Sequence, residues 1–145
     1  MIRILIADDH TLVRDGLKQI LSATPGLVVA AEATDGDQTL ARVRAEDFDL
    51  VLLDMSMPGL SGIDLVRRLK LERPKLKILV LSMHGEQQYA VRAYKAGASG
   101  YLTKDSASVQ LVAAIRKIAA GGVYISAAGA EQLAIGAMEI GRAHV

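Results

Sequence analysis

The sequence predicts a doubly wound α/β domain built on a parallel five-stranded sheet. Three observations lead there. Short apolar runs recur along the chain, segments with helical hydrophobic spacing follow them, and Pro or Gly breakers mark the joints. Runs that are apolar at every position fit strands covered on both faces. A β-α repeat supplies that cover, because right-handed crossovers place helices on both sides of the sheet.

The elements follow in order. Residues 2–7, "IRILIA", form the first run. Leu12, Val13, Leu17, Ile20 and Leu21 then recur at helical spacing, and Pro25-Gly26 closes that segment. Residues 27–33, "LVVAAEA", form the second run and residues 49–53, "DLVLL", the third. Pro58-Gly59 turns the chain before a stripe of Leu65, Val66 and Leu69, which Pro74 ends. Residues 77–82, "KILVLS", and 99–102, "SGYL", are runs four and five, with Gly97 between them. The last stripe is Leu111, Val112, Ile115, Ile118 and Ala119, ended by Gly121-Gly122. The order is β-α five times over, the pattern of a flavodoxin-like (βα)5 fold, with an expected strand order of 2-1-3-4-5. That domain occupies residues 1–122. Residues 123–145 are richer in small residues. Leu133, Ala137 and Ile140 suit a helix there, whereas Gly136 and Gly141 suit a frayed tail.

Composition narrows the function. A chain of 145 residues is most simply one domain, able to bury about two thirds of its unfolded surface. Seventeen basic and sixteen acidic residues leave a net charge of +1, without the basic stripe expected of a nucleic-acid surface. The absence of cysteine excludes disulfides and thiolate metal sites. No apolar run reaches the ~18–20 residues of a membrane span, and the N-terminus lacks a signal-peptide core. A cytoplasmic protein is expected.

Doubly wound sheets bind ligands beyond the C-terminal ends of their strands. Those ends carry Asp8 and Asp9, Asp54, Ser82 and, just past strand five, Lys104. In the order 2-1-3-4-5 the three carboxylates converge, and such a crevice calls for a cation. Oxygen ligands in small number suit Mg²⁺. Mg²⁺ and Lys104 would neutralise a phosphoryl group, and one carboxylate, best Asp54 at the tip of the middle strand, would be its acceptor. That tip is expected to be exposed. Singly, each residue has a plainer role. Asp8-Asp9 fit a helix N-cap, Ser82 a turn, Lys104 a solvated surface, and Asp54 a cap placed several residues early.

Four segments in order, "ADDH", "VLLDMSMPGLSG", "VLSMH" and "GYLTKDS", carry a resemblance. The chain resembles a response-regulator receiver domain of the NarL/FixJ (LuxR-type) family across residues 1–122. The resemblance implies that Asp9 and Asp8 bind Mg²⁺ or Mn²⁺, that Asp54 is the phosphoacceptor, and that the Ser56 backbone carbonyl completes the metal shell. It implies a sensor histidine kinase as phosphodonor, with Ser82 swinging toward the phosphoryl group, Lys104 pairing with it, and Tyr101 rotating inward as the switch aromatic. Alone, Tyr101 reads as a half-buried strand aromatic. Ser56, Met83 and His84 fall where the family tunes dephosphorylation.

The chain departs from the broad family pattern after Lys104, where Asp105 stands in place of the usual proline. A trans bond is expected there, because cis without proline costs ~3–4 kcal/mol, and Asp105 then reads as the N-cap of the last helix. Met83 is bulkier than the usual small residue. His84 also fits a solvated loop, and His10 is expected in the first helical turn rather than on the metal.

Rival classes fit less well. A flavodoxin-type cofactor binder would need a phosphate cradle where this chain has "ADDH". An Asp-x-Asp phosphatase lacks its second aspartate at Ser56, and no Gly-rich nucleotide loop occurs. A degenerate receiver serving only as a docking module would lack an acid or the lysine. The family implies dimerisation on phosphorylation and a C-terminal helix-turn-helix domain that binds DNA. This chain is too short to hold that domain, so a receiver fragment ending in the start of a linker is expected, with no residue touching DNA or membrane.

Overall fold

A computed structural model describes residues 1–83 and 87–124, with backbone alone at 87 and 88. The elements are β1 (Ile2–Ala7), α1 (Thr11–Ser22), β2 (Leu27–Ala33), α2 (Gly36–Ala45), β3 (Leu50–Asp54), α3 (Gly62–Glu72), β4 (Lys77–Ser82), α4 (Gln87–Ala96), β5 (Gly100–Thr103) and α5 (Lys104–Ala119). The strands pair in the order β2-β1-β3-β4-β5, all parallel. The doubly wound topology read from the alternating runs is the one observed.

Side-chain alternation along each strand explains why these runs are apolar throughout. Leu5, Ala7, Val51, Leu53, Ile78 and Val80 point to one face and pack with Leu40, Val43, Leu65, Val66, Leu69 and Ala93 from α2, α3 and α4. The intervening Ile4, Ile6, Leu50, Leu52, Leu79 and Leu81 meet Leu17, Leu21, Leu111, Ile115 and Ile118 from α1 and α5. Every residue of β3 is buried. Fully burying one such leucine or isoleucine contributes about 1.5–3 kcal/mol, so two helical layers hold the central strands rigidly.

Several boundaries move by a residue, and one carries weight. β3 runs on through Asp54, which pairs in register with Leu81 of β4. Met55 N–H extends the ladder by donating to the Leu81 carbonyl at 3.1 Å. Asp54 is therefore the last residue of a central strand and fully buried, not an exposed tip. β5 sits one residue later than expected. Consequently α5 starts at Lys104 with Thr103 as its N-cap, and Asp105 lies in the first turn rather than at the cap. A carboxylate one residue inside the helix still favours its positive end. The Lys104-Asp105 bond is trans, as expected.

Beyond α5 the chain turns through Gly121 (φ 98°) and Gly122 and returns along β5. Tyr124 N–H donates to the Ser99 carbonyl at 2.9 Å, and its carbonyl accepts from Tyr101 N–H at 3.1 Å. This parallel bridge opposite Gly100 exists because Gly100 has no Cβ, which would lie 3.1 Å from the Tyr124 carbonyl oxygen and 2.8 Å from Ile118 Cδ1. The expected features at Leu133, Gly136, Ala137, Ile140 and Gly141, and at His84, lie outside the described residues.

Candidate functional site: an acidic pocket at the sheet's carboxyl edge

The β1-α1 loop places the acid pair. Asp8 N–H donates to the Ala33 carbonyl of β2 at 3.0 Å, so Asp8 continues the sheet for one residue. Its carbonyl accepts from Arg14 Nη1 at 2.7 Å, and Arg14 Nε in turn donates to Glu32 at 3.3 Å. Arg14 thereby clamps the loop from α1 without touching the pocket. The hydrophobic spacing of α1 gave no hint of this role. Asp8 itself is buried and Asp9 is partly exposed.

Asp54 joins them from β3. Its Oδ1 accepts from Ser56 N–H at 3.1 Å and from the Ser56 hydroxyl at 3.0 Å, which fixes the carboxylate's rotation. Lys104 Nζ lies 3.3 Å from the same oxygen and 3.2 Å from Asp8 Oδ2. These are ion-pair distances without hydrogen-bond alignment to either oxygen. Lys104 reaches the pocket from the first residue of α5, with its side chain 9% exposed.

His10 is the unexpected member. It is the N-cap of α1 rather than a first-turn residue, with extended backbone. Its N–H donates to Asp8 Oδ1 at 2.8 Å. Its Nδ1 stands 3.1 Å from Asp8 Oδ1, 3.1 Å from Asp9 Oδ1 and 3.9 Å from Asp54 Oδ2. One ligand atom each from Asp8, Asp9, His10 and Asp54 falls within a 4.8 Å cluster.

This donor set fits a divalent cation. Three carboxylates against one ammonium leave two negative charges uncompensated when His10 is neutral. Asp8 Oδ2 and Asp54 Oδ2 are buried and accept no hydrogen bond from the described residues. Buried carboxylate oxygens without hydrogen bonds are costly, and a cation in the pocket would lower that cost. Asp8, Asp9 and Asp54 would hold such an ion.

Of the other expected site residues, Ser82 ends β4 and is buried, in register with Thr103. By strand alternation it shares a sheet face with Val80 and with Tyr101, which pairs opposite Val80. Tyr101 is half-buried against the α4-side core, beside a crevice lined by Ala90, Tyr94 and Ala98. Met83 is exposed just past Ser82.

Fold and pocket together define a doubly wound α/β domain with an acidic pocket, its donor set suited to a divalent cation, at the carboxyl ends of its central strands. Residues 4–116 match the model of the response regulator receiver domain, and the chain belongs to that family. It is 39% identical over 139 residues to the response regulator UvrY of Escherichia coli O6:H1, covering 96% of this chain and 64% of the relative. It is 39% identical over 135 residues to the response regulator GacA of Pseudomonas viridiflava, covering 93% of this chain and 63% of that one. The chain thus spans less than two thirds of the length of these relatives. Among solved structures, a LuxR-family two-component response regulator from Aurantimonas sp. SI85-9A1 superimposes with a TM-score of 0.85 at 36% identity, covering 94% of this chain and 97% of that one. The receiver domain of RcsB from Salmonella enterica serovar Typhimurium, solved with the phosphomimetic BeF₃⁻, gives 0.83 at 25% identity, covering 91% and 98%. RcsB has also been solved as two dimers bound to two parallel DNAs. Among the described residues, no helix is long and apolar enough to cross a membrane.

Proposed function

We propose that this chain is the phosphoacceptor unit of a two-component transcription regulator, and that Asp54 takes a phosphoryl group from a sensor histidine kinase. The observation that carries this reading is the asymmetry of the Asp54 carboxylate. Oδ1 is held by Ser56 and Lys104, while Oδ2 is buried and accepts no hydrogen bond from the described residues. A fixed carboxylate with one oxygen uncommitted is a positioned nucleophile.

In the step itself, an Asp54 oxygen bonds to the phosphorus of a phosphohistidine as the P–N bond breaks. The leaving imidazole takes the electron pair and a proton, and an acyl phosphate forms on Asp54. Mg²⁺ (or Mn²⁺) at Asp8, Asp9, Asp54 and the Ser56 carbonyl would supply charge neutralisation and in-line orientation. Lys104 sits close enough to follow the charge onto a phosphoryl oxygen. Ser82 is the hydroxyl that would pair with another. Tyr101, on the same sheet face, would then settle inward and change the surface of α4, β5 and α5. Met83, just past Ser82, and Ser56, two residues past Asp54, would tune how fast the acyl phosphate is lost to water.

In this reading residues 1–122 are the receiver and 123–145 lead to a C-terminal helix-turn-helix domain, so DNA is met outside this chain. Phosphorylation favours a homodimer, and the protein works in the cytoplasm. The likeness to UvrY, GacA and RcsB supports this wider role. The test is incubation with acetyl phosphate and Mg²⁺, followed by intact-mass measurement. Wild type gains one phosphoryl group and Asp54→Asn gains none. A wild type that stays unmodified, or an Asp54→Asn protein that gains equally, refutes the mechanism.

A further inference from the structure

We infer that His10 is a ligand of the cation pocket, and that this nitrogen donor makes the pocket select late transition-metal ions over Mg²⁺. The inference rests on the reading of the acidic cluster as a cation site and adds a residue and a selectivity to it.

The backbone aims the imidazole. His10 is held on both sides, by its own N–H on Asp8 Oδ1 and by its carbonyl accepting from Arg14 N–H at 3.0 Å. Its extended conformation (φ −97°, ψ 113°) projects the side chain back over the strand ends instead of along α1. Nδ1 consequently faces three carboxylates at 3.1, 3.1 and 3.9 Å. The ring is about half exposed, with a side-chain exposure of 55%.

Two features of the carboxylates make this a ligand set rather than an ion pair with His10 alone. Asp8 and Asp54 are 1% and 0% exposed, and each has an Oδ2 without a hydrogen bond from the described residues. Asp54 Oδ2 is the atom nearest His10 from that residue. An ion drawing on Asp8, Asp9 and Asp54 would therefore have Nδ1 within the same cluster of donors. Coordination through Nδ1 places the ring proton on Nε2, and any proton held on Nδ1 leaves to solvent as the ion binds.

The chemical consequence is a difference between ions. Mg²⁺ favours oxygen and gains little from an imidazole, whereas Co²⁺, Ni²⁺ and Zn²⁺ gain substantially from nitrogen. If His10 served only as a positive counter-charge, an incoming ion would compete with it. Its removal would then strengthen the binding of every divalent ion alike.

The test compares the parent protein with its His10→Ala and His10→Gln variants by isothermal titration with Mg²⁺ and Ni²⁺, with the visible spectrum of bound Co²⁺ as a second readout. All three proteins lack an affinity tag and have His84 and His144 replaced by alanine, so that no other histidine reports. His10→Ala is expected to weaken Ni²⁺ at least tenfold while Mg²⁺ affinity changes less than twofold, and to alter the Co²⁺ spectrum. His10→Gln, which fills the same space, is expected to do the same and guards against a folding defect at position 10. Unchanged or tighter Ni²⁺ binding in both variants, with an unchanged Co²⁺ spectrum, overturns the inference. Mg²⁺ binding then separates the two levels: if the parent protein binds no Mg²⁺, the cation pocket itself is refuted.

Discussion

Lys104→Met should expose how much of this domain's stability is committed to its pocket. The side chain stays unbranched and apolar along its stem, but loses its terminal ammonium. In the native protein that charge lies 3.2 Å from Asp8 Oδ2 and 3.3 Å from Asp54 Oδ1, and both carboxylates are buried. At an effective dielectric of about 20, each contact amounts to about 5 kcal/mol of gross attraction. Desolvation of the ammonium offsets much of that, and removing one partner of a buried pair costs about 3–5 kcal/mol net. For a domain whose total stability is about 5–15 kcal/mol, this is a large share. With a urea slope of about 2 kcal/mol per molar, the midpoint should fall by about 1.5–2.5 M in chelator. Added Mg²⁺ should restore more stability to the variant than it gives wild type, because it meets one more uncompensated negative charge. Urea titrations followed by far-UV circular dichroism, with EDTA or Mg²⁺, measure both quantities. A loss under about 1 kcal/mol in EDTA, well below the buried-pair range, or an equal Mg²⁺ gain in both proteins, would refute the reasoning.

Other perturbations test different parts of the molecule. Gly36→Ala sets two effects against each other. Alanine in a helix is better than glycine by up to about 1 kcal/mol, but a Cβ at Gly36 would overlap the Leu60 carbonyl oxygen. Backbone displacement should win, lowering stability by about 3 kcal/mol; a thermal midpoint at or above wild type contradicts this. Lys70 has its pKa lowered below 10.5, first by burial and then by Lys77. Between that lowered value and 10.5 the unfolded state binds more protons, so this residue makes stability rise with pH in the alkaline range. Lys70→Met should flatten that rise, as read by urea midpoints across alkaline pH; an unchanged slope removes Lys70 from the explanation.

Hydrophobic patterning made the scaffold legible. β3 and β4 are buried at nearly every position, and only a sheet covered by helices on both faces accommodates such strands. The order of those strands then brought Asp8, Asp9, Asp54 and Lys104 together, so the acidic constellation was also visible as residues at strand ends. Periodicity reports faces, however, and not single-residue offsets. One residue at the end of β3 separates an exposed aspartate from a fully buried one. One residue at the start of α5 moved the cap from Asp105 to Thr103. Arg14 was silent in the sequence because its task is a hydrogen bond to a carbonyl that only the folded loop presents.

The sequence by itself determined the topology and the chemical character of the pocket, because both follow from which residue types occupy strand interiors and strand ends. The tertiary structure decided how those residues work. It turned Ser56 and Lys104 onto one oxygen of Asp54 and left the other without a hydrogen bond from the described residues. It also swung His10 from a nominal helix position over three carboxylates. Those outcomes depend on backbone dihedrals and on packing between residues far apart in the chain, which local spacing does not encode. "LVLLD" in the sequence marks a strand that ends in an acid; only the fold makes that acid a buried, half-committed carboxylate.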